Sequence, residues 1–258
     1  MTYCLGILLS SGLVLASDSR TNAGVDQIAK VRKLAVFEQP GSRVIALLSA
    51  GNLATTQAVV TTFKEGLGCA DGGCDLDQAK SLFEAARMVG QVLRDVLARD
   101  AEHVKAVGDP SAGFLLGGQI AGERPRLFQI YSAGNFIEAS PRTPFLQIGE
   151  TKYGKPILDR TVSFELDITR AAKAAILSFD ATMRSNLSVA PPIDLLCYHA
   201  DSFSAETKIK LNNEDPYFAA LREGYGRGLL ELVDGLPSPP WAEGRPSHSN
   251  AEPPGSDD

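Results

Sequence analysis

The order of strand-like and helix-like segments along the 258-residue chain predicts an α+β domain, with two sheets packed face to face and helices on the outside. Two observations predict this class. Strand-like runs come in groups and do not alternate regularly with helices, which argues against a parallel βαβ sheet. Hydrophobic residues make up 44% of the chain and charged residues 22%, a composition that can bury a large core.

The first group holds four short apolar runs, which predict four strands in one sheet. A Ser-Ser-Gly turn separates the first two runs, and a Gln-Pro-Gly turn separates the last two. The strands are expected at residues 2–9, 12–17, 28–37 and 43–49.

Two helices are expected after these strands. Asn52 is placed to cap a helix that ends near Gly66, and a glycine-rich loop continues to Gly73. Asp75 is the candidate N-cap of the second helix, in which apolar residues recur at helical spacing between residues 82 and 97. This second helix is amphipathic, so we expect it to pack on one face.

The second half of the chain predicts a second sheet, two more helices and a tail. The elements are expected as strands at 113–120, 126–132 and 144–148, a helix at 167–183, strands at 193–199 and 207–211, and a helix at 216–233. We expect one folded domain over residues 1–235. Residues 236–258 contain six prolines and few apolar side chains, which predicts a disordered tail or, alternatively, a partner-docking segment anchored by Trp241.

Charge and cysteine content argue against several functional classes. The formal net charge of −6 gives no electrostatic support to nucleic-acid or anionic-membrane binding, so neither partner is expected. The four cysteines and three histidines lack zinc-ligand spacing, and no Walker or dinucleotide glycine motif occurs. We therefore expect reduced cysteines, no metal and no cofactor.

The apolar N-terminal run raises the alternative of a secretory signal peptide. Residues 5–15 are apolar enough for its hydrophobic core, and Ala16-Ser17 matches a cleavage site. However, no Lys or Arg precedes Arg20, and the Ser-Ser-Gly turn divides the run. No segment reaches the ~18 apolar residues that a membrane span requires, so we expect a soluble, cytoplasmic protein.

Thr2 is the first candidate for chemistry. Removal of Met1 ahead of this small residue would leave Thr2 with a free α-amine. A threonine hydroxyl is a weak nucleophile, and the α-amine of the same residue is chemically suited to act as its base. Many chains begin with Met-Thr, so the dipeptide alone does not establish this role.

Several separated segments resemble one family. The runs GLVLASDSRTNA (residues 12–23), RKL (32–34) and SAGNLATTQAV (49–59) resemble the active-site segments of proteasome β-subunits in their order and spacing. The variant that the chain resembles most is the bacterial ancestral β-subunit, through the segments MTYCLGI, SDSRTNAGVD, IGETKYGKPILDR, DATMRSNLSV and PPIDLL. The resemblance covers roughly residues 1–235 and leaves out the tail.

The resemblance implies roles for the main site residues. Thr2 would be the nucleophile, and Lys33 would lower the pKa of its hydroxyl through a positive charge. Asp18 would pair with Lys33, and the Gly51 N–H would act as an oxyanion-hole donor. The interval before Lys33 is one residue shorter than in typical β-subunits, which makes Lys30 a rival for the catalytic amine.

Four further residues are expected to support the site. Arg20 lies in the same segment as Asp18. Glu150 stands where β-subunits usually carry a supporting Ser, and Ser185 stands where they carry an Asp, whereas Ser188 matches the Ser that follows. These departures from the pattern affect the proton relay and leave the nucleophile in place.

The implied function is that of a threonine-type N-terminal-nucleophile hydrolase with a four-layer αββα sandwich. It would cleave peptide or amide bonds through an acyl-enzyme on Thr2, and Ile28, Ala50 and Asn52 are candidates for its specificity pocket. The family implies a homo-oligomeric ring or open helical turn of about a dozen subunits. The alternatives are an amidase for a small amide or isopeptide, and a catalytically silent scaffold subunit.

Overall fold

A computed structural model describes residues 2–22, 28–66 and 75–241. The strands in these ranges are β1 (Tyr3–Leu9), β2 (Gly12–Asp18), β3 (Arg20–Asn22), β4 (Ile28–Lys30), β5 (Leu34–Gln39), β6 (Arg43–Gly51), β7 (Ala112–Ile120), β8 (Arg126–Ile130), β9 (Phe136–Glu138), β10 (Phe145–Gly149), β11 (Ile193–His199) and β12 (Lys208–Leu211). The α-helices are α1 (Leu53–Lys64), α2 (Leu82–Val104), α3 (Lys155–Thr161), α4 (Ile168–Ser185) and α5 (Pro216–Gly235).

Ten of these strands form two antiparallel sheets. The first sheet has the order β10-β1-β2-β11-β12, and the second has the order β5-β6-β7-β8-β9. The remaining strands, β3 and β4, pair with each other, so that Arg20 lies opposite Lys30. The mixed α+β class predicted from the sequence is therefore confirmed.

The prediction that the four N-terminal strands form one sheet is wrong. The first hairpin, β1-β2, belongs to one sheet and the second hairpin, β5-β6, belongs to the other. The expected third strand is two separate strands, and β10 joins β1 instead of the second sheet. Local patterning detects these strands, but which distant strands pair depends on tertiary packing that no local pattern reports. The short elements β3, β9 and α3 were not predicted.

Three hydrophobic clusters show how the elements pack. One cluster lies between the two sheets and contains Leu15 and Leu48. In the other two, the second sheet packs against α1 and α2, and the first sheet packs against α3, α4 and α5. Successive residues of β1 alternate between clusters, with Leu5 facing the helices and Cys4 facing the other sheet. Because both faces are covered, the central strands read as continuous apolar runs.

Polar side chains cap the helices. The Asn52 side chain accepts a hydrogen bond from the Thr55 N–H, as predicted for the start of α1. Asp167 and Asp215 cap α4 and α5 in the same way. The prediction for Asp75 is wrong, because Asp75 caps a single 3-10 turn, Leu76–Gln78, that precedes the helix, and Ser81 caps α2.

Replacing Asn52 by Ala is expected to lower the free energy of unfolding by about 1–2 kcal/mol. The change removes the bond from Thr55 N–H (3.2 Å) and the bond from Asn52 Nδ2 to the Asp109 carbonyl (3.0 Å). Urea unfolding followed by circular dichroism measures the loss. Asn52→Ser keeps a capping oxygen and should lose less; equal losses for the two variants would contradict a capping role.

The C-terminal helix α5 ends near the predicted boundary of the folded domain. Phe218 is its only buried residue among those that the structure describes. Residues 242–258 of the predicted tail, 236–258, lie outside the described ranges, so its disorder stays a prediction. Residues 67–73 of the glycine-rich loop predicted at 66–73 also lie outside them. None of the helices in the described part of the chain is long and apolar enough to cross a membrane.

Candidate active site

Thr2 is held by backbone contacts at the start of β1. Its carbonyl oxygen accepts a hydrogen bond from the Glu150 N–H at 2.7 Å. The next residue, Tyr3, donates its N–H to Asp18 Oδ1 at 3.0 Å. Gly149 lies opposite Tyr3 with φ of +84°, and a Cβ there would overlap the Thr2 carbonyl. Glycine is therefore required where β10 passes Thr2.

A buried ion pair lies beside Thr2. The Lys33 ammonium is 2.8 Å from Asp18 Oδ1 and donates a second hydrogen bond to the Arg20 carbonyl at 2.6 Å. Asp18 is fully buried at the end of β2, and the Lys33 side chain is 6% exposed. Lys30, the rival candidate, is exposed on β4. Lys33 is thus the lysine that the structure brings to Asp18.

Burial and charge act in opposite directions on Asp18. Burial raises the pKa of the Asp18 carboxyl, while the Lys33 ammonium and the N–H groups of Tyr3 and Arg20 act to lower that pKa. The Asp18 side chain accepts a hydrogen bond from each of these three residues. Because the carboxylate is buried, its charge depends on Lys33 for compensation.

Cys4 is the nearest cysteine to Thr2 in sequence, and its environment does not favour a nucleophile. The thiol is fully buried and donates to the Ser49 carbonyl at 3.4 Å. Burial raises the pKa of the Cys4 thiol, which disfavours the reactive thiolate. Cys4 and Cys197 are free thiols, and Cys69 and Cys74 lie outside the described residues.

Thr2, Lys33 and Gly51 line one pocket of about 280 Å³. Gly51 is the last residue of β6, directly before α1, and its φ is +110°. A Cβ at this position would overlap the Ser111 carbonyl, so the turn from strand to helix requires glycine. Ser49 and Ala50 also line the pocket.

The predicted pocket residues have different positions. Ala50 lines the pocket next to Thr2. The Asn52 side chain caps α1 and is not among the lining residues. The side chain of Ile28 lies outside the described part of the chain. The sequence analysis did not predict that the α1 residues Gln57 and Lys64 line the pocket. They are seven positions apart, and this spacing, which places two residues on the same face of a helix, could have indicated them.

Among the four predicted supporting residues, Glu150 is hydrogen-bonded directly to Thr2. Its N–H bonds to the Thr2 carbonyl, and its buried carboxylate accepts from Asn186 Nδ2 at 3.0 Å and from the Lys152 N–H at 3.2 Å. Glu150 therefore links the start of β1 to the segment that follows α4.

The remaining supporting candidates lie at the end of α4, on the segment that follows it, or against that segment. Ser185 is exposed at the end of α4, and the Ser188 N–H donates to Asn186 Oδ1 at 2.9 Å. Arg20 Nη1 donates to the Leu187 carbonyl at 3.0 Å. Within the described ranges, no hydrogen bond joins either serine to Thr2, Asp18 or Lys33.

The arrangement combines a hydroxyl and a buried cation at one pocket, with a carboxylate paired to the cation. A positive charge near a hydroxyl favours its deprotonated form, which is what nucleophilic catalysis requires. Among the described residues, no group of three or more His, Cys, Asp or Glu side chains is arranged to hold a metal ion.

Solved structures provide strong matches to the whole fold. Anbu (ancestral beta-subunit) from Yersinia bercovieri is 47% identical, with a TM-score of 0.85 over 92% of this chain and 98% of that chain. Anbu from Hyphomicrobium sp. strain MC1 is 46% identical, with a TM-score of 0.83 over 92% and 98%. The helical assembly of the Anbu complex from Pseudomonas aeruginosa is 46% identical, with a TM-score of 0.87 over 93% and 99%. No protein-family model and no curated protein matches the chain.

Proposed function

The chain belongs to the Anbu family of proteasome-type proteins, and from this premise we propose that it is a threonine-type N-terminal-nucleophile hydrolase. Its activity is that of a proteasome-like peptidase, which cleaves peptide or amide bonds with Thr2 as nucleophile. The observation that carries the proposal is that Thr2 lines the same pocket as Lys33, whose ammonium is paired with buried Asp18.

The reaction begins after removal of Met1. The α-amine of Thr2 takes the hydroxyl proton, and the oxygen attacks the scissile carbonyl carbon. The Lys33 charge favours the deprotonated oxygen, and the Gly51 N–H stabilises the oxyanion. The C–N bond then breaks, the proton moves to the leaving nitrogen, and Thr2 holds the acyl group as an ester. Water hydrolyses the ester and restores the hydroxyl.

Asp18 and Glu150 position these groups. Asp18 fixes the Lys33 ammonium and also binds the N–H of Tyr3, so it controls the cation and the strand that carries the nucleophile. Glu150 holds the Thr2 carbonyl through its N–H. In this proposal Arg20, Ser185 and Ser188 support the segment around residues 185–188, which Glu150 joins to the start of β1.

The same premise supports the architecture and the assembly. The proposed domain, residues 1–235, is a four-layer αββα sandwich, which is supported by the three hydrophobic clusters between sheets and helices. The proposed assembly is a homo-oligomeric ring or open helical turn of about a dozen subunits. Its support is the helical assembly reported for the Pseudomonas aeruginosa relative.

Intact mass spectrometry with a peptide epoxyketone tests the proposal. This reagent reacts with both the hydroxyl and the free α-amine of an N-terminal threonine. We expect a protein mass without Met1 and a single adduct that peptide mapping locates on Thr2, with no adduct on Thr2→Ala. Retention of Met1 in the purified protein would remove the amine base and favour the silent scaffold subunit.

A further inference from the structure

We propose that the protein selects acidic peptides, because a basic pocket adjoins the pocket of Thr2 and is suited to bind substrate carboxylates. This inference rests on the proposed function for the position of the scissile bond. The chemistry of recognition is that of Asp or Glu side chains in a peptide that extends away from Thr2.

The second pocket, of about 230 Å³, lies between the two sheets at their edges. Residues of β5, an edge strand of the second sheet, line one side, and residues of β12, an edge strand of the first, line the other. Arg32, Leu34, Ala35 and Lys64 line this pocket and the Thr2 pocket alike. A peptide bound at Thr2 therefore has direct access to the second pocket.

Four cations and one carboxylate line the second pocket. The cations are Arg32, Lys64, Lys208 and Lys210, and the carboxylate is that of Asp194. Asp194 is buried and accepts a hydrogen bond from Ser19 Oγ at 3.2 Å, so part of its hydrogen-bonding capacity is already used within the protein.

Arg32, Lys64 and Lys210 are exposed and form no ion pair with any residue in the described ranges. Lys210 lies opposite Asp194 in the pairing of β12 with β11, so Arg32 and Lys64 are the two cations farthest from a compensating carboxylate in sequence register. Lys208 is 3.7 Å from Glu38 Oε2 and is thus partly compensated.

This concentration of positive charge contrasts with the rest of the molecule. The chain has 31 acidic and 25 basic residues, a net charge of −6. Lys33, the other cation of the Thr2 pocket, is already paired with Asp18. The apolar side chains of Leu34 and Val36 form part of the walls, and a cleft with apolar walls in which positive charge is in excess concentrates its field on the ligand. The field attracts an anionic group and repels a cationic one.

Matched peptides test the preference directly. One peptide carries several Glu side chains, the other has Gln in their place, and both carry the same uncharged fluorophore. Binding to the full-length Thr2→Ala variant is measured by fluorescence anisotropy, so that no hydrolysis interferes. We expect the Glu peptide to bind about 3- to 10-fold more tightly, with the preference reduced at high salt. Equal affinities, or no measurable binding of either peptide, would overturn the proposal.

Charge-neutralising variants locate the preference. Lys210→Gln and Lys64→Gln are each expected to reduce the ratio of Glu-peptide to Gln-peptide affinity by about 2- to 5-fold. Lys173→Gln is the matched control, because Lys173 is an exposed lysine on α4, away from the lining residues of both pockets. An equal change in the ratio for the control would refute the assignment to this pocket.

The wild-type protein separates this inference from the proposed function. If the Glu peptide binds preferentially but the wild type neither cleaves it nor forms the epoxyketone adduct, the basic pocket stands and the hydrolase proposal fails. If the wild type cleaves both peptides with equal efficiency, the hydrolase proposal stands and the acidic preference is wrong.

Discussion

Thr2→Ala is expected to lower kcat/KM by at least about 10³-fold, while the free energy of unfolding and the size of the assembly stay at their wild-type values. The variant loses the nucleophilic oxygen and keeps the α-amine, because Met1 can also be removed ahead of Ala. The backbone contacts do not involve the Thr2 side chain, so in the variant the carbonyl of residue 2 still accepts from the Glu150 N–H and the Tyr3 N–H still donates to Asp18. The measurement is hydrolysis of the peptide that the wild type cleaves fastest in a fluorogenic library.

Thr2→Ser is the matched control for this prediction. It keeps a hydroxyl and the α-amine and removes one methyl group, so it should keep far more activity than the Ala variant and still form the epoxyketone adduct. Size-exclusion chromatography and thermal unfolding check that both variants assemble and fold. Wild-type activity in Thr2→Ala would show that another residue is the nucleophile.

Lys33→Met is expected to destabilise the protein by about 3–5 kcal/mol at pH 8, because it leaves the Asp18 carboxylate buried and uncompensated. Asp18 is fully buried, and Lys33 provides its only salt bridge among the described residues. Methionine has a similar length and packs well in apolar surroundings, so lost packing contributes little. Urea unfolding, followed by circular dichroism, measures the difference from the wild type.

The cost of Lys33→Met should be smaller at pH 5 than at pH 8. Burial raises the pKa of Asp18, and the variant lacks the ammonium that opposes this effect. The folded variant therefore binds the Asp18 proton more tightly than the unfolded chain, in which the Asp pKa is about 3.9. The stability of the Lys33→Met variant therefore falls as the pH rises above the pKa of Asp18 in the unfolded chain and through its raised pKa in the folded state.

The double variant Asp18→Asn/Lys33→Met isolates the carboxylate as the cause. Without a titratable group at residue 18, the stability of the double variant should change much less between pH 5 and pH 8 than that of Lys33→Met. If the single variant loses the same free energy at both pH values, the buried charge is not the source of the destabilisation.

The sequence predicted the main residues of the site, and the structure added the contacts that hold them in place. Segments around Thr2, Asp18, Lys33 and Gly51 matched the family pattern, and the structure brings Thr2, Lys33 and Gly51 to one pocket, with Asp18 paired to Lys33. The sequence could not have indicated that Gly149 passes the Thr2 carbonyl, because β1 and β10, which pair there, are far apart in the chain. The bond from Tyr3 N–H to Asp18 likewise depends on the register of two strands.

The basic pocket, too, could not be predicted from the sequence. Arg32 and Lys64 read in sequence as ordinary surface cations on a loop and a helix. Only the fold places them near Lys208 and Lys210, which come from the opposite sheet. The four cations come from three separate segments of the chain, so no local pattern in the sequence indicates the pocket.

The sequence by itself determined the α+β class, most strands and helices, and the candidate nucleophile with its cation and carboxylate. The class and the elements are encoded locally, in hydrophobic period and capping residues, whereas the roles of Thr2, Lys33 and Asp18 are what the resemblance of short motifs to one family implies. Only the tertiary structure decided which sheet each strand joins, that Lys33 and not Lys30 meets Asp18, and which pockets adjoin Thr2. These depend on contacts between segments far apart in the chain, where packing of whole layers sets the register and no single segment contains the information.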